Sequence, residues 1–86
     1  MYYIYILRSL RDDNLYTGFS SNLRNRVQKH KKGLVEATKF RKPLELIYYE
    51  ASLSRKDAMR REIYLKSAWG KRYIKGRLSE YFRRSQ

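Results

Sequence analysis

The sequence predicts an α+β fold in the order strand, strand, helix, strand, helix, helix. Three observations lead there. Aromatic and β-branched runs occupy residues 1–9, 15–20 and 44–50, turn residues separate the first two, and a capped, helix-spaced segment follows the second and again the third.

Residues 1–9 (MYYIYILRS) are apolar on both pleat faces, which suits a strand covered on both sides. The next strand is 15–20. Between them Arg11, Asp12, Asp13 and Asn14 are turn residues, so the pair should close as an antiparallel hairpin. If the turn holds an even number of residues, Tyr5 and Tyr16 project from one face, because side chains alternate along a strand. Ser20, Ser21 or Asn22 can cap a first helix over about 21–32, and Gly33 can end it. Residues 34–42 form a loop closed by Pro43, and a third strand follows at 44–50. Ser54 with Asp57 three residues on is a capping-box signature for a second helix, expected to run to about Trp69 and stop at Gly70. The tail, 71–83, reads as one or two short helices whose Tyr73, Ile74, Leu78, Tyr81 and Phe82 pack back on the core.

At 86 residues the chain is expected to form one domain, 1–86, with no linker or repeat. Its 42% hydrophobic content supports one modest core. The absence of cysteine excludes disulfides, thiolate metal sites and thiol nucleophiles, and fits a reducing cytoplasm. Any metal must therefore use oxygen or histidine ligands. No apolar run approaches the roughly 20 residues of a membrane span, and no signal-peptide pattern opens the chain, so it is read as soluble, unprocessed and cytoplasmic. A formal charge of +13 attracts polyanions. Lipid headgroups are the weaker match, because the apolar residues are committed to a core rather than to one open amphipathic face.

Hydrolysis of a phosphodiester needs a group to orient water, a cation against the phosphate, and carboxylate oxygen to hold a hard metal ion. The chain offers a candidate for each. At about 100° per residue, Ala58, Glu62, Leu65 and Trp69 share one stripe of the second helix, so a carboxylate stands where a hydrophobe belongs. Glu62 is either a solvated residue paired with Arg61 or Lys66, or an embedded acid that requires a partner such as one magnesium ion. On the first helix Leu23 and Val27 mark the inward side, and Arg26 and His30 are neighbours at i and i+4 on its flank. Either is unremarkable alone, as a surface cation and a partly buried histidine. Together they offer a guanidinium to clamp phosphate and an imidazole to relay a proton. Tyr5 and Tyr16 are equally compatible with core filling. As a base, a tyrosine would need its pKa shifted downward by cations; otherwise it only orients water.

The order Tyr3-Ile4-Tyr5, Tyr16-Thr17-Gly18, Asn22-Leu23-Arg24-Asn25-Arg26-Val27 with His30, then Arg61-Glu62, resembles the GIY-YIG nuclease superfamily over nearly the whole chain. It is most similar to the small single-domain bacterial branch, in which segments like 42–50 and 65–72 recur. The resemblance implies a three-stranded antiparallel sheet flanked by helices. It implies that Tyr5 and Tyr16 are paired active-site tyrosines with Tyr5 as general base, that Gly18 permits close packing beside them, and that Arg26 stabilises the phosphate. His30 would assist proton transfer or phosphate contact, and Glu62 would bind a single Mg2+ or Mn2+ ion. Tyr3 replaces the glycine of the first family motif, and Thr17 the isoleucine of the second.

The expected function is metal-dependent cleavage of DNA, with branched or damaged DNA and a role in repair or recombination among the candidates. A homodimer or protein partner is compatible with the sequence but not indicated by it. Lys39, Arg41, Lys42, Lys71, Arg72 and Arg77 are candidates for tracking the nucleic-acid backbone. The competing expectation is a nucleic-acid binding module, for DNA or RNA, with little or no catalysis.

Overall fold

β1 (Tyr2–Ser9) is the middle strand of a three-stranded antiparallel sheet, flanked by β2 (Leu15–Ser20) and β3 (Leu44–Ser52), which is why its sequence has no polar face. In the computed structural model, residues 1–85 are described. The helices are α1 (Leu23–Lys31), α2 (Arg55–Lys66), α3 (Ala68–Arg77) and the short α4 (Ser79–Arg84). The predicted order is found, with the tail forming α3 and α4.

Two clusters divide the core by strand alternation. Ile4 and Ile6 of β1 pack with Ala58, Leu65 and Ile74, so α2 and α3 cover that face. Tyr5 and Leu7 point the other way, to Val27 of α1 and Leu44 of β3, with Tyr16 and Leu23 against them. Tyr5 pairs with Gly18 and Leu7 with Tyr16, which puts Tyr5 and Tyr16 on a single face. The hairpin turn closes by a hydrogen bond from Ser9 N–H to the Asn14 carbonyl, 2.9 Å, and Asp13 takes the left-handed φ of 61°. The fully buried Ser9 hydroxyl donates to the Arg41 carbonyl, 2.6 Å, and accepts from the amides of Arg11 and Asp12, pinning the turn to the loop before β3.

Asn22 is the residue that caps α1, accepting from Asn25 N–H, and Gly33 leaves the helix with φ +78°. Ser54 caps α2 through Asp57 N–H. The predicted end of the second helix is corrected. α2 stops at Lys66, because Ser67 turns to an extended conformation, donates to the Tyr64 carbonyl and caps α3 through Gly70 N–H. Trp69 therefore lies in the first turn of a new helix, and at 67% exposure it leaves the inward stripe to Ala58, Glu62 and Leu65.

Gly70 stops no helix; it lets α3 lie on the last turn of α2. A Cβ there would fall 2.2 Å from the Tyr64 carbonyl oxygen and 2.4 Å from Leu65 Cα, both backbone, whereas one on Gly76 meets nothing within 4 Å. Gly70→Ala should therefore lower stability by about 3 kcal/mol, near the top of the overpacking range. Gly76→Ala should raise it by about 0.5–1 kcal/mol through helix propensity. Urea unfolding of the two variants separates close contact from propensity.

Candidate active site at the β2 edge

The Tyr5 side chain is fully buried, and its hydroxyl meets Nε2 of His30 at 2.8 Å. The imidazole, equally buried, meets Thr38 Oγ1 through Nδ1 at 2.7 Å. α1 supplies His30, and the loop after it folds back to supply Thr38. A neutral imidazole has one N–H and one bare nitrogen, so this chain runs in one direction at a time. Burial, helped by the Arg26 charge, lowers the His30 pKa to about 4, so the ring is neutral at pH 7.

Tyr5 lies across Gly18. A Cβ on Gly18 would sit 2.4 Å from both the ring and the hydroxyl of Tyr5. Gly18→Ala should thus displace the phenol, cost about 2 kcal/mol and shift the His30 ring resonances, readable by thermal unfolding and NMR.

Tyr16 completes an aromatic trio, its ring centroid 6.4 Å from that of Tyr5 and 5.1 Å from that of His30. Burial pushes the Tyr5 phenol above its ordinary pKa. The Arg26 guanidinium opposes that rise, while neighbouring Tyr16 and, least, the Glu62 carboxylate add to it. The downward shift that a tyrosine base would need is thus not supplied by Arg26, which offsets burial only in part.

Arg26 comes from α1 over the Tyr5 face and Glu62 from α2 on the other; of the charges acting on the Tyr5 hydroxyl beside the edge strand β2, Arg26 is the main favourable one and Glu62 the weakest. The Glu62 side chain is 20% exposed and pairs with Lys66, Oε2 to Nζ 3.2 Å. Arg61, the other candidate partner, turns to β3 instead. It donates from Nε and Nη2 to the two oxygens of Glu50, both at 2.9 Å, and lies between the rings of Tyr64 and Tyr73. Burial raises the Glu50 carboxyl, but Arg61 and the Tyr48 hydroxyl more than offset this and hold it below the usual carboxylate range.

The basic candidates separate. Lys39 is tied to Glu36 at 3.0 Å and lies over Phe40, and Arg41 is tied to Asp12 at 3.3 Å. Lys42 packs against Gly33, Arg72 stacks on Trp69 with its guanidinium carbon 4.9 Å from the ring centre, and Arg77 contributes its charge to the Glu50 cluster. Lys71 borders the cleft that Tyr16 and Lys66 also line. Sequence reasoning missed Thr38, which has no periodicity to mark it. The need of a buried histidine for two polar partners was the available signal.

Tyr5, Tyr16, Gly18 and His30 stand together on one face of the sheet, with Arg26 on the same helix as His30. The GIY-YIG catalytic domain matches residues 1–76, and the chain belongs to that family. It is similar to a UPF0213 protein of Clostridium perfringens, 39% identical over 67 residues that cover 77% of this chain and 71% of that one. A UPF0213 protein of Pediococcus pentosaceus is 44% identical over 66 residues, 76% and 68% of the two chains. The solution NMR structure of a UPF0213 protein from Bacillus halodurans matches with a TM-score of 0.53 at 33% identity, covering 86% of this chain and 82% of that one. GIY-YIG nucleases act on nucleic acid and generally use a divalent metal. No helix among the described residues is long and apolar enough to cross a membrane.

Proposed function

We infer that this chain, acting as one unit over 1–86 in the cytoplasm, is an endonuclease that hydrolyses phosphodiester bonds in DNA with the help of one divalent cation. The observation that carries the reading is the buried hydrogen-bond chain from the Tyr5 hydroxyl through His30 to Thr38 with Tyr16 beside it, where burial raises the Tyr5 pKa, Arg26 lowers it and Glu62, the weakest influence, raises it. Among the described residues no three His, Cys, Asp or Glu side chains cluster to cage an ion. The donor set is one partly exposed carboxylate, 20% accessible, which fits Mg2+ or Mn2+ retaining most of its waters and completed by substrate phosphate. Glu62 would hold that ion, which supplies Lewis-acid charge against the scissile phosphate.

The rest of the chemistry belongs to the chain. Arg26 clamps the phosphate and offsets charge in the transition state. Tyr5 orients the attacking water. As a water proton passes to the phenol oxygen, the phenol proton passes to Nε2 of neutral His30, whose Nδ1–H is held by Thr38 Oγ1. The proton then returns to the leaving oxygen. Tyr16 walls the site, and Gly18 leaves Tyr5 its room.

A binding module without catalysis is the second reading, favoured by one observation: the Tyr5 phenol is fully buried and a poor base as it stands. Incubation with supercoiled plasmid, branched and single-stranded DNA in magnesium or manganese, beside Glu62→Ala, decides. Cleavage of any of these by the wild type alone supports the nuclease. Binding of all three without cleavage supports the module.

A further inference from the structure

The cleft beside Tyr16 and Lys66 does not end there. Leu15 and Lys71 line it and also line a groove of about 1020 Å3 that runs between the hairpin turn and α3–α4. Its basic residues differ in what they are free to do. Arg41 is engaged with Asp12, and Arg83 is engaged with Glu80. Lys71 and Lys75, one turn apart on the same side of α3, are exposed and have no ion-pair partner among the described residues. Between them and the turn, Leu15 and Phe82 are half-buried apolar side chains lining the groove.

We propose that this groove binds a single-stranded segment of DNA continuous with the strand held at Arg26 and Glu62. The inference rests on the nuclease reading for what occupies the site, but the groove makes its own case. A duplex offers a protein its phosphates and hides its base faces, so an apolar floor would contribute nothing to it. A single strand offers both, phosphates for an unpaired lysine pair and base faces for Phe82. The lysines lie along α3 leading away from Lys66, which directs the strand from the site toward α4.

Fluorescence anisotropy in EDTA, where nothing is cut, tests it with labelled oligo-dT and a duplex of equal length. The double variant Lys71→Ala/Lys75→Ala should weaken oligo-dT binding at least 10-fold and reduce its salt slope by about 1.4, two charges at roughly 0.7 each. Phe82→Leu, which keeps an apolar residue against the core, should weaken oligo-dT by about 5-fold through lost stacking. Duplex binding should change less than 2-fold in both. Equal losses on the two DNAs, or oligo-dT binding unchanged in the lysine variant, would overturn the proposal. A wild type that binds oligo-dT through these residues yet cleaves nothing in magnesium leaves the groove standing and removes the nuclease reading. One that cleaves while the lysine variant binds oligo-dT like the wild type does the reverse.

Discussion

Arg26→Ala is expected to slow DNA cleavage by about 10²- to 10³-fold while changing DNA affinity little, a loss of the size seen when one preorganised donor to a developing charge is removed. The phenol beside Arg26 is pushed above its ordinary pKa, so the surroundings penalise negative charge that is not directly compensated. A phosphate gaining charge there would meet the same penalty, and Arg26, partly buried on α1, is the cation placed to offset it. Against a chain charge of +13, its removal barely alters the long-range attraction for DNA. Arg26→Lys should restore only part of the rate, since an ammonium keeps the charge and loses the bidentate fork. Single-turnover cleavage beside equilibrium binding measures both. Equal losses in rate and affinity would make Arg26 an ordinary DNA-binding cation.

The fold should lose about 3 kcal/mol of stability between pH 6.5 and pH 4 on account of His30 alone. Folded, its pKa is about 4; unfolded, it returns to the ordinary 6.5. Between those values the unfolded chain takes up a proton that the folded chain refuses, so the contribution is complete above pH 6.5 and gone near pH 4. The shift follows from full burial, with Arg26 adding to it and both ring nitrogens engaged by Tyr5 and Thr38. His30 is the chain's only histidine, so its ring resonances titrate without overlap. A midpoint near 4 is expected, with urea stability falling in parallel. A midpoint near 6.5 would mean that the Tyr5–His30–Thr38 chain does not form in solution.

What the sequence revealed depended on whether local rules governed the feature. The period of two put Tyr5 and Tyr16 on one face, because the turn, pinned by Ser9, holds an even number of residues. Asn22 and Ser54 were visible as caps because capping is a contact over three residues. Ser67 obeys the same rule and was missed, because the apolar spacing continued through it to Trp69. Nothing local reports that Thr38 folds back on His30, that Arg61 turns to Glu50, or that Lys66 is left for Glu62. Those are tertiary choices among several polar partners of similar reach. The groove of Lys71 and Lys75 was half visible, since Lys71 was singled out by its charge while its neighbour entered only through the geometry of α3 and α4.

Whether Glu62 and Arg26 work as one unit around Tyr5 is tested most directly by a double-mutant cycle on plasmid nicking in magnesium. If they do, Glu62→Gln and Arg26→Ala each abolish most of the rate, and the double variant falls little below the worse single one, because groups serving one transition state do not add. Wild-type nicking rates in all three purified, folded variants would contradict the account.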